Sequence, residues 1–209
     1  PALYAAGVLS FEDVVKVVRV RGQIMQKVCE EIAAANEGHA PGMTAVLGLS
    51  LDQVKELCAG IKDAYPANLN SSVQTVVSGT FDALTEVEAK AKEAGARRAL
   101  RLAVAGPFHS PLMQPAKDEL QAAIEATQFS DPKIPVYQNV DAKAHTNAEE
   151  IKQNLIAQLT APVKWTYEVQ AMIADGATDF TECGPGKVLQ GMIGKIAKGI
   201  EGITTNGIA

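Results

Sequence analysis

Cysteine is scarce in this chain, with three residues (Cys29, Cys58 and Cys183) in 209. Their odd number and wide spacing exclude a disulfide scaffold, and with only three histidines a structural zinc is not expected. An excess of basic charge is also missing. Nineteen Lys and Arg against 24 Asp and Glu leave a formal net charge of −5, whereas nucleic-acid modules carry a basic face and peripheral membrane anchors a polybasic cluster. No apolar run approaches the roughly 20 residues of a transmembrane helix. No charged segment followed by an apolar one opens the chain, so no signal peptide is legible. Internal repeats and low-complexity segments are absent as well. What remains is 47% hydrophobic and 21% charged residues, enough for a sizeable core and too apolar for global disorder. A soluble, acidic, cytoplasmic protein is expected, somewhat longer than one typical domain and without nucleic-acid or membrane partners.

Ser10 is a candidate N-cap, with Asp13 at the third helical position, for a helix over about 11–35. On its wheel Val14, Val17, Val18, Met25 and Val28 share one face, and Glu12, Lys16, Arg19, Gln23, Lys27 and Glu30 the other. Arg21 breaks the pattern at the centre of the apolar face. Ahead of this helix, residues 1–7 read as the inside of another, closed by Gly7. Past a glycine-rich stretch at 36–42 come a strand (43–48), a helix capped by Ser50 (50–60), two strands (65–69 and 74–78), a helix stopped by Gly95 (80–94) and a strand (98–104). That order, β-α-β-β-α-β, is the ferredoxin-like arrangement, taken as a small subdomain over residues 36–103. Residues 1–35 and 104–209 then form a larger subdomain. In it Ser110-Pro111 starts a helix to about 127, followed by a strand (134–140), helices (148–159 and 166–175), a strand (178–182) and a last helix (187–198). Residues 206–209 look like a frayed tail. Strands alternating with helices make the class α/β.

Arg21 is the sharpest chemical signal. A guanidinium stays charged and is costly to bury alone, so on an apolar face it needs a carboxylate from a ligand or from the protein, unless it snorkels to the edge. His109 comes after a strand and before a capped helix in Gly106-Pro107-Phe108-His109-Ser110-Pro111. Ligands bind at such strand ends, and a helix N-terminus keeps an imidazole neutral and able to act as a base; a loop histidine without chemistry fits as well. His39 and His145 lie in polar loops and are expected on the surface. Asn68-Leu69-Asn70-Ser71 sits between two strands, where a hairpin turn supplies Asn and Ser anyway. Gly184-Pro185-Gly186 is a tight turn that could offer N–H groups to an anion but lacks phosphate-loop spacing. The three cysteines read as core filler, and no serine or cysteine occupies a Gly-x-Ser-x-Gly elbow.

Several strings in one continuous order carry a resemblance. They are Ala5-Ala6-Gly7-Val8-Leu9-Ser10-Phe11, Arg19-Val20-Arg21-Gly22-Gln23-Ile24-Met25-Gln26, Asn68-Leu69-Asn70-Ser71, Gly106-Pro107-Phe108-His109-Ser110, Gln158-Leu159-Thr160-Ala161-Pro162-Val163-Lys164-Trp165 and Gly184-Pro185-Gly186-Lys187-Val188-Leu189. Together they make the chain similar to the malonyl-CoA:acyl carrier protein transacylases. The resemblance implies an α/β-hydrolase-like larger subdomain, incomplete here, with an inserted ferredoxin-like smaller one. The implied reaction moves a malonyl group from malonyl-CoA, through a seryl ester, to the phosphopantetheine thiol of acyl carrier protein in fatty-acid synthesis.

Residue by residue, Arg21 matches the arginine that holds the malonyl carboxylate, and a planar fork suits two parallel hydrogen bonds. His109 matches the general base, and Gln158 the residue whose backbone carbonyl orients it in place of a triad acid. Asn68 and Asn70 match a segment facing the cleft, and Phe108 the bulky residue of malonyl-selective members. The serine elbow and the Gly-Gln-Gly motif of the family do not occur in this sequence, which is expected to be the C-terminal two-thirds of the enzyme. No metal or redox cofactor is implied, malonyl-CoA and acyl carrier protein are the partners, and the complete enzyme is expected to be a monomer. Two alternatives remain open: a non-catalytic fragment that binds carrier protein, and an acyltransferase domain of a polyketide synthase.

Overall fold

The computed structural model describes residues 1–208. A single helical turn, α1 (Ala2–Ala5), ends at Gly7, whose φ of +78° suits a residue without a side chain. Ser10 then starts α2 (Phe11–Ala35): its Oγ accepts the Asp13 amide at 3.1 Å and its hydroxyl donates to the Asp13 carboxylate at 2.6 Å. The cap satisfies an orphan N–H and places Glu12 and Asp13 at the positive end of the helix. Val17, Val28 and Cys29 bury against Met113, Leu120 and Ile124. Val18 departs from expectation. It is 59% exposed, because the buried stripe runs through Val17 and Val28 while Val18 borders an open cavity beside Arg21.

The next six elements are β1 (Gly42–Leu47), α3 (Leu51–Ala59), β2 (Ala64–Ser71), β3 (Gln74–Gly79), α4 (Phe81–Glu93) and β4 (Arg98–Arg101). They form one antiparallel sheet in the order β2-β3-β1-β4, the order of a ferredoxin-like unit. Ser50 and Gln53 make a reciprocal capping box on α3, and Thr80 caps α4. Strand alternation sorts the two faces of the sheet. Val46 and Val77 pack with Val54, Leu84 and Val87 of the helices, while Met43, Ala45 and Val76 turn the other way, toward Phe108. β4 is shorter than the pattern suggested. It stops at Arg101, although the Leu102 amide still reaches the Met43 carbonyl at 2.9 Å.

Beyond the sheet, Ser110 does not cap by its side chain. The Oγ donates to the Pro107 carbonyl instead, and the first turn, Pro111–Met113, is a 3-10 turn that leads into α5 (Gln114–Glu125). The single strand expected over 134–140 is a short hairpin of β5 (Val136–Gln138) and β6 (Lys143–His145), turned at Ala142 with a φ of +62°. Helices α6 (Ala148–Ala157) and α7 (Trp165–Ala174) come next, then β7 (Asp179–Cys183), α8 (Val188–Ile196) and β8 (Thr204–Ile208). β8 corrects the expectation of a frayed tail. It runs parallel to β7 from Asp179 opposite Thr204 to Cys183 opposite Ile208, so the partner that orders it lies far back in the chain; Ala209 lies outside the described residues. Among the described residues no helix is long and apolar enough to cross a membrane.

Two side chains also differ from their expected settings. Cys29 and Cys58 are buried, but Cys183 is exposed, because it shares the open face of β7 with Asp179 and Thr181, while Phe180 and Glu182 on the other face are half-buried. His145 is no surface residue. Its side chain is 11% exposed, with Nε2 2.9 Å from Asp141 Oδ2 and Nδ1 3.1 Å from Glu150 Oε2; His39 is exposed and lies against the Phe81 ring. In the first turn of α7, Glu168 is only 4% exposed, and burial, helped by the nearby Asp141 charge, pushes its carboxyl up to about 7.

The Glu168 shift makes stability depend on pH. Between the ordinary carboxyl value and about 7, the folded chain holds a proton that the unfolded chain has released. Stability therefore falls as pH rises through that window and levels off above it, with a contribution of about 3 kcal/mol in all. Urea unfolding at pH 5, 6, 7 and 8 should show Glu168→Gln flattening this decline and stabilising the chain most at pH 8.

Candidate active site

A cavity of about 580 Å³ opens between α2 and the loop after β4, lined by Arg21, Met25, Cys29, Ala105, Phe108 and His109 among others. A second of about 320 Å³, lined by Leu9, Val17, Val18, Leu155, Gln158 and Leu159 among others, shares Arg21 with the first. The guanidinium thus stands between two hollows. Among the described residues no carboxylate lies within ion-pair distance of it, and burial alone acts on its pKa, lowering it. The ion pair that could have explained an arginine on an apolar face is not present. An arginine remains protonated whatever the shift, so a half-buried cation stands here without a counter-charge among the described residues.

His109 is held in an unusual backbone conformation, with a φ of +57°. Its Nδ1 lies 3.0 Å from the Gln158 carbonyl oxygen. A carbonyl can only accept, so Nδ1 carries the proton and Nε2 keeps its lone pair. Gln158 is the C-cap of α6, where helical carbonyls lack partners and the negative end of the helix dipole gathers. A helix end therefore does for this imidazole what a carboxylate does in a catalytic triad, without a second buried charge. Gln158 is itself fixed, since its side-chain amide donates to the carbonyls of Ala161 at 2.8 Å and Pro162 at 3.4 Å.

Burial lowers the His109 pKa, the Gln158 carbonyl opposes that shift, and the Arg21 charge adds to it. The ring is thus neutral for a different reason from the one the sequence suggested. A three-residue 3-10 turn succeeds the histidine rather than the start of a regular helix, and desolvation takes the place of a helix dipole. The loop comes close to α2 at Gly106, where a Cβ would collide with Cys29 Sγ and stand 2.6 Å from the Phe108 ring. Cys29 itself is inert, its thiol pushed up to about 11 mainly by burial.

Of the residues singled out from sequence, Arg21, Phe108 and His109 share one cavity, and Gln158 reaches His109 from the neighbouring one. Asn68 and Asn70 line neither cavity. They belong to the end of β2 rather than to a hairpin turn, which falls at residues 72–73, and Asn68 bridges to Val163 beyond Gln158. Near the Gly184-Pro185-Gly186 turn the only carboxylate contact among the described residues is made by the first turn of α8, whose Leu189 and Gln190 amides donate to Glu182 at 3.2 Å each, while the Gly184 amide donates to the Ile208 carbonyl. Met25 and Cys29 were not singled out as site residues, although they lie one and two turns further along the face that carries Arg21. Among the described residues no cluster of three or more His, Cys, Asp and Glu side chains could hold a metal ion.

The family model described as Acyl transferase domain matches residues 1–208. The chain belongs to this family. A malonyl CoA-acyl carrier protein transacylase of Staphylococcus aureus is 43% identical over 204 residues, covering 96% of this chain and 64% of that protein. The crystal structure of a malonyl-CoA:acyl carrier protein transacylase from Xanthomonas oryzae superposes with a TM-score of 0.91 at 41% identity, over 100% of this chain and 64% of that one. A structure of a holo type II PKS acyl-carrier protein in complex with its malonyl-transacylase gives a TM-score of 0.90 at 33% identity, over 99% and 64%. The chain thus spans just under two thirds of the length of these relatives, and its α/β class is theirs.

The causes acting on His109 predict its titration. In an NMR titration its imidazole midpoint should lie below the ordinary histidine value of about 6.5, and Arg21→Ala should move it upward by removing a neighbouring positive charge. A midpoint that Arg21→Ala leaves in place or lowers would show that the two side chains are electrostatically independent.

Proposed function

We propose that this chain supplies the base and the carboxylate clamp of a malonyl-CoA:acyl carrier protein S-malonyltransferase, a cytoplasmic enzyme of fatty-acid synthesis. One observation carries the reading: an arginine with no carboxylate partner among the described residues lines the same cavity as a histidine whose Nδ1 is committed to a backbone carbonyl. An acyl group that ends in a free carboxylate fits between them. Arg21 takes that carboxylate through paired N–H donors, while His109 Nε2 faces the thioester end.

In the first half-reaction Nε2 accepts the proton of an attacking serine hydroxyl as its oxygen bonds to the thioester carbon. The carbon–sulfur bond then breaks, and the imidazolium returns the proton to the CoA thiolate. The second half-reaction runs the same steps in reverse order, with the phosphopantetheine thiol of acyl carrier protein as nucleophile and serine as leaving group. Gln158 keeps Nδ1 protonated throughout, and the C-terminal end of α6 stabilises the transient imidazolium. Phe108 limits the room beside the acyl α-carbon; packing of this kind discriminates one methyl group by about 1–3 kcal/mol. No metal or redox cofactor enters this reading. Asn68 acts in it through its bridge to Val163 in the segment beyond Gln158, and Asn70, two residues further along the same strand, borders neither cavity.

Two measurements test the proposal in the protein that carries this chain. Denaturing intact-mass spectra after brief exposure to malonyl-CoA should show a malonyl adduct, and His109→Gln should abolish its formation. Arg21→Ala should lower malonyl transfer by about 10- to 100-fold, as expected for a lost charge-assisted pair, and leave acetyl transfer nearly unchanged. An equal loss for both acyl groups would refute the carboxylate role.

A further inference from the structure

His109 sits in the left-handed region, which a residue with a side chain adopts at a cost and keeps only when its neighbours hold it there. Its φ is the rotation about the bond between its own nitrogen and Cα. The Phe108 carbonyl shares a rigid peptide plane with that nitrogen, so holding the carbonyl oxygen restrains φ on one side of the bond, while the bond from Nδ1 to the Gln158 carbonyl holds the side chain on the other. The Phe108 oxygen accepts the hydroxyl of Ser78 at 2.5 Å. One residue earlier, the Pro107 oxygen accepts the hydroxyl of Ser110, also at 2.5 Å. Both serines are fully buried, so water does not compete for either bond.

Ser78 belongs to β3, and strand alternation decides where its hydroxyl points. It shares a face with Val76, the one turned toward Phe108, and lies opposite Met43 in the register. The same sheet also grips the other half of the His109–Gln158 pair. At a bulge in β2, Ala67 drops out of register with β3, and its carbonyl takes the Val163 amide at 2.7 Å, while the Leu69 amide donates to the Val163 carbonyl at 2.8 Å. Thr166 Oγ1 donates to the Leu69 carbonyl at 2.9 Å. β3 thus holds the loop with the imidazole, and β2 holds the loop just beyond its acceptor.

We propose that Ser78 is a positioning residue for His109: its hydroxyl pins the Phe108–His109 peptide plane to the small sheet and so keeps Nδ1–H aimed at the Gln158 carbonyl. This rests on the reading of His109 as the base, but its test reads the imidazole directly and involves no acyl transfer. Failure of one is therefore distinguishable from failure of the other.

In the 15N-labelled protein that carries this chain, the His109 imidazole signals are assigned by difference against His109→Gln. The parent should show a protonated, slowly exchanging Nδ1. Ser78→Thr and Ser78→Val are nearly equal in volume and differ in the hydroxyl. The Thr variant should keep the Nδ1–H signal, whereas the Val variant should lose it or exchange it about tenfold faster or more, with Nδ1 and Nε2 shifts converging as the tautomers mix. Ser78→Ala, which adds no volume, carries the same expectation if the Val variant does not fold. Thr75→Val removes a buried hydroxyl from the opposite face of the same strand and should leave the His109 signals in place. Thr and Val variants that behave alike, an Ala variant with parental exchange, or a Thr75→Val change as large as that of Ser78→Val would each overturn the proposal.

Discussion

The hydrogen bond between His109 Nδ1 and the Gln158 carbonyl joins residues 49 positions apart and sets the chemistry of everything near it. It decides which ring nitrogen carries a proton and leaves the other as a free acceptor. It also lends the ring the negative end of a helix without placing a second charge in a buried site. The surrounding structure supports the two ends of this bond. Gln158 is held by its own side chain against the Ala161 and Pro162 carbonyls, and the loop it begins is stitched to β2 by Val163. His109 is held by a peptide plane whose carbonyl is bonded to β3. The small antiparallel sheet is thus a frame for a pair of loops that come from outside it.

Arg21 supplies the complementary constraint. Burying part of a guanidinium without a counter-charge opposes folding, and nothing within the described residues compensates it. Such a position is a poor choice for stability and a good one for holding an anion that arrives from outside. The same positive charge pushes the His109 pKa down and so helps keep that ring neutral. The two side chains are therefore linked electrostatically before any ligand is considered, and the identity of the missing anion is the substance of the proposed malonyl specificity.

Much of this was legible from residues alone. The Ser10 and Ser50 caps lie where short polar residues precede apolar periodicity, because capping is a local interaction. The β-α-β-β-α-β order came from alternating patterns of period two and period 3.6. The anomaly of Arg21 needed only a helical wheel. The failures share a cause. The tail that pairs with β7, the burial of His145 among Asp141, Glu150 and Asn154, and the exposure of Cys183 each depend on what a distant segment places alongside. The Asn68 segment was misplaced in a turn because Asn and Ser signal turns locally, while the β2 bulge and its bridge to Val163 are long-range features.

The sequence by itself determined the β-α-β-β-α-β order of the small sheet and its helices, the α/β class and the presence of a cation on an apolar stripe, since these arise from interactions within a few residues or from the period of one element. Only the tertiary structure decided that Arg21 has no carboxylate partner among the described residues, that the His109 proton sits on Nδ1, and that Ser78 reaches the carbonyl before that histidine. Those are statements about which groups from separate elements meet in space. A hydrogen bond between loops leaves no periodic trace in the chain, so the sequence names the participants and the fold assigns their partners.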